Sequence, residues 1–149
     1  MGIAYLPWTR ADVAHRPCLR DEAVQLTYAQ VAQRVDAVAE QFAARGVGRG
    51  DVVAIMLPNR VELLIALMAA WRLGAAATPI NPVFTPNEAS YQIADSQAAL
   101  LVTTDAAADY GILSIPVDDF ATEPTGPVRA AGPSLHDLAL LIYTSGSTG

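Results

Sequence analysis

The sequence predicts an α/β fold, a largely parallel sheet flanked by helices on its faces. Three segments open with helix-capping chemistry and continue with apolar residues at helical spacing, and each is followed at short range by a nearly uncharged apolar run. Helices alternating with such continuous runs through short loops argue for parallel strands buried on both faces. Composition adds a third observation. Of 149 residues 52% are hydrophobic and 16% charged, where roughly 25% charged is usual. That excess of apolar surface reads as a piece of a larger core, so residues 1–149 are expected to form an incomplete domain.

Thr27 caps the first helix, Gln30 closes a capping box and Leu26 can staple onto Val31. Val31, Val35, Val38 and Phe42 fall on one face, and Gly46 supplies a left-handed stop before a strand over residues 51–57. Asn59 with Glu62 repeats the capping signature. In this second helix Leu63, Leu64, Ile65, Leu67, Met68 and Trp71 surround almost the whole circumference, so it should be covered on several sides. Gly74 ends it, and residues 75–80 give the next strand. The third helix opens with Thr85 as cap, Pro86 at the first helical position and Glu88 closing the box, and runs to about Ser96 before a strand over 99–103. Residues 104–134 carry Pro116, Pro124, Pro127 and Pro133, which predict a strand near 113–117 and then an exposed connection. Leu138, Ala139, Leu140, Leu141 and Ile142 read as a buried strand.

Several function classes are disfavoured. The net charge is -6, from nine Arg, no Lys and fifteen acidic residues without a run of either sign, which argues against nucleic-acid binding. The start has neither a signal-peptide pattern nor the Ser or Thr that myristoylation needs at Leu6, so a cytoplasmic location is expected. Residues 63–71, bracketed by Glu62 and Arg72, fall short of the roughly 20 that a transmembrane segment requires. Cys18 stands alone and reads as a small buried or half-buried thiol, while His15 and His136 show no metal-ligand spacing. Gly46, Gly48 and Gly50 follow a helix and precede a strand, the reverse of a dinucleotide fingerprint, and Asp118 with Asp119 reads as a solvated turn.

The last run is different. Thr144, Ser145, Gly146, Ser147, Thr148 and Gly149 follow directly on an apolar strand. Glycines let the backbone approach an anion with N–H groups free to point at it, and Ser and Thr hydroxyls add donors that need no counter-charge. These six residues are the candidate phosphate-binding loop. It is not a Walker-type loop, which requires a Lys.

Taken together, the residues resemble the adenylate-forming superfamily of acyl-CoA synthetases, peptide-synthetase adenylation domains and luciferases. Residues 143–149 look like the first part of that family's phosphate loop, which normally continues with any residue and then Pro-Lys-Gly. Leu26-Thr27-Tyr28, residues 46–51, Leu57-Pro58-Asn59, Leu73-Gly74-Ala75 and Thr78-Pro79-Ile80-Asn81-Pro82 stand in the family's order, so the resemblance covers about residues 16–149. Asn81-Pro82 followed by Thr85, Glu88, Tyr91 and Asp95-Ser96 is more similar to the acyl-CoA synthetase branch.

The resemblance implies part of the large N-terminal domain of a ligase of fatty acid metabolism. Such an enzyme activates a carboxylic acid with ATP to an acyl adenylate and transfers the acyl group to coenzyme A. It further implies that Thr144, Ser145, Gly146, Ser147, Thr148 and Gly149 hold the outer phosphates and that Thr144 approaches Mg2+. The loop lysine and the acidic magnesium ligand would lie beyond Gly149, so the chain alone is expected to be inactive. A non-catalytic interaction module built on the same fold is the alternative. In either case uncovered apolar surface invites self-association.

Overall fold

The computed structural model describes residue 3, residues 6–127 and residues 132–144. Two short 3-10 turns, Pro7–Thr9 and Ala11–Val13, lead into an antiparallel hairpin of β1 (Pro17–Arg20) and β2 (Gln25–Thr27), which the sequence reading did not anticipate. There follow α1 (Tyr28–Ala44), β3 (Val52–Met56), α2 (Val61–Arg72), β4 (Ala76–Pro79), α3 (Pro86–Asp95), β5 (Leu100–Thr103) and β6 (Ser114–Pro116). Strands β3 to β6 form one parallel sheet in the order β4-β3-β5-β6.

This order follows from the handedness of crossovers. The chain steps from β3 to β4 through α2, then turns back past β3 to β5 through α3. Right-handed connections that step in opposite directions place their helices on opposite faces. Alternation within the strands agrees: Val53, Ile55, Leu100 and Val102 join the core beneath α1 and α2, while Ala54 and Leu101 join Ala89 and Ile93 of α3.

Two of the three predicted capping boxes form. The N–H of Gln30 donates to Thr27 Oγ1 at 3.2 Å and that of Thr27 to Gln30 Oε1 at 2.8 Å. Thr85 and Glu88 repeat the exchange at 3.3 and 2.8 Å. Val31, Val35, Val38 and Phe42 are buried on the inner face of α1, and Phe42 meets Phe120 edge-on with ring centres 6.2 Å apart. Gly46 follows the helix at φ +88°, as a left-handed stop requires.

The third box does not form. Helix α2 begins at Val61, which leaves Asn59 outside the capping position and puts Glu62 one place too early to reach back. Glu62 instead pairs with Arg60 at 2.9 Å. The orphan N–H of Val61 donates at 2.9 Å to Asp21 Oδ2, while Asp21 Oδ1 accepts from Ala23 and Val24 in the hairpin turn. One carboxylate thus closes the hairpin and caps a helix 40 residues later. The all-round covering expected of α2 is also incomplete, because Leu64 is exposed and Leu63 and Trp71 are half-buried.

The segment 138–142 differs most from its prediction as a buried strand. It runs extended beside β4 with a single bridge, Ala77 to Leu140. Leu138, Leu140 and Ile142, which alternate onto one face, are 58%, 39% and 60% exposed. Apolar composition marked the segment as strand-like, but among the described residues β4 is the one strand that pairs with it and this row is only partly covered. The irregular stretch after β6 is held from α1: Gln41 donates to Asp119 O and accepts from Ala121 N, both at 2.9 Å. Asp118 and Asp119 lie exposed in the 3-10 turn Val117–Asp119, as a solvated pair should.

Candidate functional site

In an open parallel sheet, ligand crevices form outside the carboxyl ends of the strands where the strand order reverses. In the order β4-β3-β5-β6 that reversal falls between β3 and β5, while segment 138–144 lies parallel to β4 at the outer edge of the sheet. Their carboxyl ends, at Pro79 and Thr144, open together onto a groove of about 700 Å³. Phe84, Asn87 and Tyr91 form much of its wall.

The approach to the groove is held at successive points. The guanidinium of Arg49 forms an ion pair with Asp137 and donates to Gly132 O at 2.8 Å. It passes against Gly74, at φ +78°, where a Cβ would stand 2.9 Å from Arg49 Cζ. Trp71 Nε1 donates to Ala139 O at 2.8 Å. Ala77 then exchanges two backbone bonds with the segment, N–H to Ala139 O at 3.0 Å and C=O from Leu141 N–H at 2.9 Å.

At the groove itself side chains take over. The hydroxyl of Thr78 donates to Leu141 O at 2.7 Å. Gln92 on α3 donates through Nε2 to Thr78 Oγ1 at 3.0 Å and to Pro79 O at 2.9 Å. Both side chains are buried, Thr78 at 0% and Gln92 at 3% exposure. Buried polar groups are tolerable only when bonded in this way. The phenol of Tyr143 donates to Asp95 Oδ2 at 2.5 Å. Desolvation first, then that hydrogen bond and the Asp95 charge, push the phenol up to about 12.

Of the predicted site residues, Thr144 is exposed and lines the groove. Ser145, Gly146, Ser147, Thr148 and Gly149 lie outside the described residues. Cys18 is half-buried, and burial pushes its thiol up, away from the thiolate form a nucleophile needs. His15 and His136 are exposed, and among the described residues no three His, Cys, Asp or Glu side chains gather as a metal site would need. Sequence reasoning missed Gln92. Its signal was available: a polar residue on the same α3 face as Ala89 and Ile93 is either misplaced or bonded.

Residues 7–149 match the family described as AMP-binding enzyme. The chain belongs to the AMP-binding enzyme family. Tyrocidine synthase 3 of Brevibacillus parabrevis is 35% identical over 128 residues, which cover 83% of this chain and 2% of that protein. Isonitrile lipopeptide synthase of Streptomyces coeruleorubidus is 37% identical over 132 residues, 83% of this chain and 9% of its own length. Among solved structures, O-succinylbenzoate coenzyme A synthetase from Bacillus subtilis in complex with AMP superposes with a TM-score of 0.85 at 30% identity, covering 97% of this chain and 39% of that one. This AMP-binding enzyme chain therefore spans well under half the length of these relatives. They include a lipopeptide synthase as well as a coenzyme A synthetase, so the branch read from Asn81-Pro82 is narrower than the family, and a fatty acid substrate has no support among them. No described helix is long and apolar enough to cross a membrane.

Proposed function

We propose that residues 1–149 are the N-terminal portion of an AMP-binding ligase that joins a carboxylic acid to AMP from ATP and then passes the acyl group to coenzyme A. The observation that carries this reading is the position of Thr144. It stands exposed at the carboxyl end of a parallel segment, on the rim of a groove outside the carboxyl edge of the sheet, and opens the Thr-Ser-Gly-Ser-Thr-Gly run.

In the first step a carboxylate oxygen of the acid attacks the α-phosphorus, the bond to the bridging oxygen breaks, and pyrophosphate leaves with the charge. Hydroxyl and N–H donors fixed in advance near the departing oxygens stabilise that transition state without reorganising. Thr144 would supply one such donor, with Ser145, Gly146, Ser147, Thr148 and Gly149 continuing the set. Magnesium is commonly held by one or two carboxylates together with substrate phosphates, so a site with few protein ligands is chemically reasonable and the Thr144 hydroxyl fits as one of them. When bound, the ion would neutralise phosphate charge.

The acceptor rests on the structural neighbour, a coenzyme A synthetase, together with the Asn81-Pro82 pattern. A second reading is favoured by the sequence relatives, which include a lipopeptide synthase: activation of an amino acid for transfer to a carrier thiol. A third, a non-catalytic interaction module, draws on the exposed row Leu138, Leu140 and Ile142, through which the chain would self-associate. One experiment separates them. The polypeptide of the complete reading frame is incubated with ATP, Mg2+, coenzyme A and pooled carboxylic and amino acids, and its acyl adenylate and thioester products are identified by mass spectrometry. Acyl-CoA supports the proposal, aminoacyl adenylate without coenzyme A ester the second reading, and no ATP-dependent product the third.

A further inference from the structure

Parallel pairing obeys a strict alternation, and in this protein it breaks where the candidate loop begins. Ala77 directs both its N–H and its C=O at segment 138–141, bonding Ala139 O and Leu141 N. Two residues on, position 79 faces the same way. A continued ladder would have its N–H donate to Leu141 O and its C=O accept from Tyr143 N–H. That position is Pro79, which has no N–H.

Side chains occupy both ends of the interrupted rung. Leu141 O receives the Thr78 hydroxyl at 2.7 Å in place of a backbone donor. Pro79 O receives Gln92 Nε2 at 2.9 Å, and no backbone bond joins it to Tyr143 among the described residues. The second Gln92 bond, 3.0 Å to Thr78 Oγ1, occupies a lone pair of that hydroxyl and leaves its proton directed at Leu141. Among the described residues beyond this point the one hold is the tip of a side chain, Tyr143 on Asp95, with no backbone bond.

We propose that Pro79, Thr78 and Gln92 act as a ladder stop that ends pairing with β4 before Tyr143, leaving the backbone N–H groups of Tyr143 and Thr144 unspent for phosphate oxygens. They are positioning residues: they touch the segment that carries the donors, not the nucleotide. The inference rests on the functional reading above and adds to it the device that aims the loop. A loop that stayed on the sheet would spend its N–H groups on β4.

The test has two arms. In the 149-residue chain, amide hydrogen exchange at Tyr143 is fast in the wild type. The double substitution Pro79→Ala with Gln92→Leu restores the donor and frees the acceptor, and slows that exchange about tenfold or more. In the complete gene product, MgATP binding is followed by calorimetry. Thr78→Val and Gln92→Leu weaken it by about 10- to 100-fold, while Thr78→Ser, which keeps the hydroxyl, binds close to wild type. Circular dichroism checks folding. If Gln92→Leu does not fold, the contrast between Thr78→Val and Thr78→Ser carries the binding arm and Pro79→Ala alone the exchange arm. A wild-type product that binds no MgATP removes the functional reading and the inference with it. Wild-type binding that the variants leave unchanged, with Tyr143 exchange equal throughout, overturns the inference alone.

Discussion

Tyr143 donates its phenol proton to Asp95 Oδ2 at 2.5 Å, tying the residue before Thr144 to the last turn of a helix 48 positions earlier. Burial, the Asp95 hydrogen bond and the Asp95 charge together raise the phenol from 10.0 to about 12. A raised acid holds its proton more tightly folded than unfolded, so its contribution to stability is complete below pH 10 and is lost as pH rises toward about 12. Asp95→Asn should move the Tyr143 transition, followed by ultraviolet difference absorbance against a Tyr143→Phe control, back toward 10. A transition that stays near 12 in the variant would assign the shift to burial alone.

Asp21 should matter to α2 although it belongs to another element. Its carboxylate accepts from Val61, Ala23 and Val24, and those three bonds hold it below the usual carboxylate range. A lowered acid contributes stability that is present above the ordinary value of about 3.9 and disappears as pH falls through its folded value. Asp21→Ala should therefore lower the urea midpoint at pH 7 and flatten the loss of stability on acidification. An unchanged midpoint would show that water satisfies the Val61 N–H equally well.

Gly74 and Arg49 are coupled through space. Alanine at 74 meets two penalties, the left-handed backbone, which costs roughly 1–2 kcal/mol, and a Cβ standing 2.9 Å from Arg49 Cζ. The guanidinium can move only by giving up Asp137 and Gly132. Gly74→Ala should accordingly cost less in an Arg49→Ala background than in the wild type. Strict additivity in thermal unfolding would leave the backbone as the sole cause.

The caps divide what was legible in the sequence from what was not. Thr27 with Gln30 and Thr85 with Glu88 are contacts between residues three apart, which local spacing encodes completely. Thr27→Ala or Thr85→Ala should each cost about 1 kcal/mol. Asn59 with Glu62 has the same spelling, but the cap of α2 comes from Asp21, and no local pattern reports a partner 40 positions away. Asn59→Ala is expected to change stability by less than about 0.5 kcal/mol, and chemical denaturation of the three variants checks the contrast.

The same distinction runs through the site. The alternation of helices and apolar runs was enough for the parallel sheet, while of the Thr-Ser-Gly run only Thr144 lies among the described residues, on the rim of the groove. Exposure of Leu138, Leu140 and Ile142 was not legible, because an apolar run reports strand character and not whether its outer face is covered. Gln92 left a signal in its place beside Ala89 and Ile93 on α3, but its partners Thr78 and Pro79 lie on another element, which no local pattern reports.

The central claim is that these residues prepare a pyrophosphate-binding loop for acid activation, and isotope exchange between pyrophosphate and ATP tests it most directly. The account predicts exchange that depends on an added carboxylic acid with the polypeptide of the complete reading frame, reduced by Thr78→Val, and none with the 149-residue chain alone. Acid-dependent exchange by the 149-residue chain, or its absence from the complete polypeptide with every acid supplied, would contradict it.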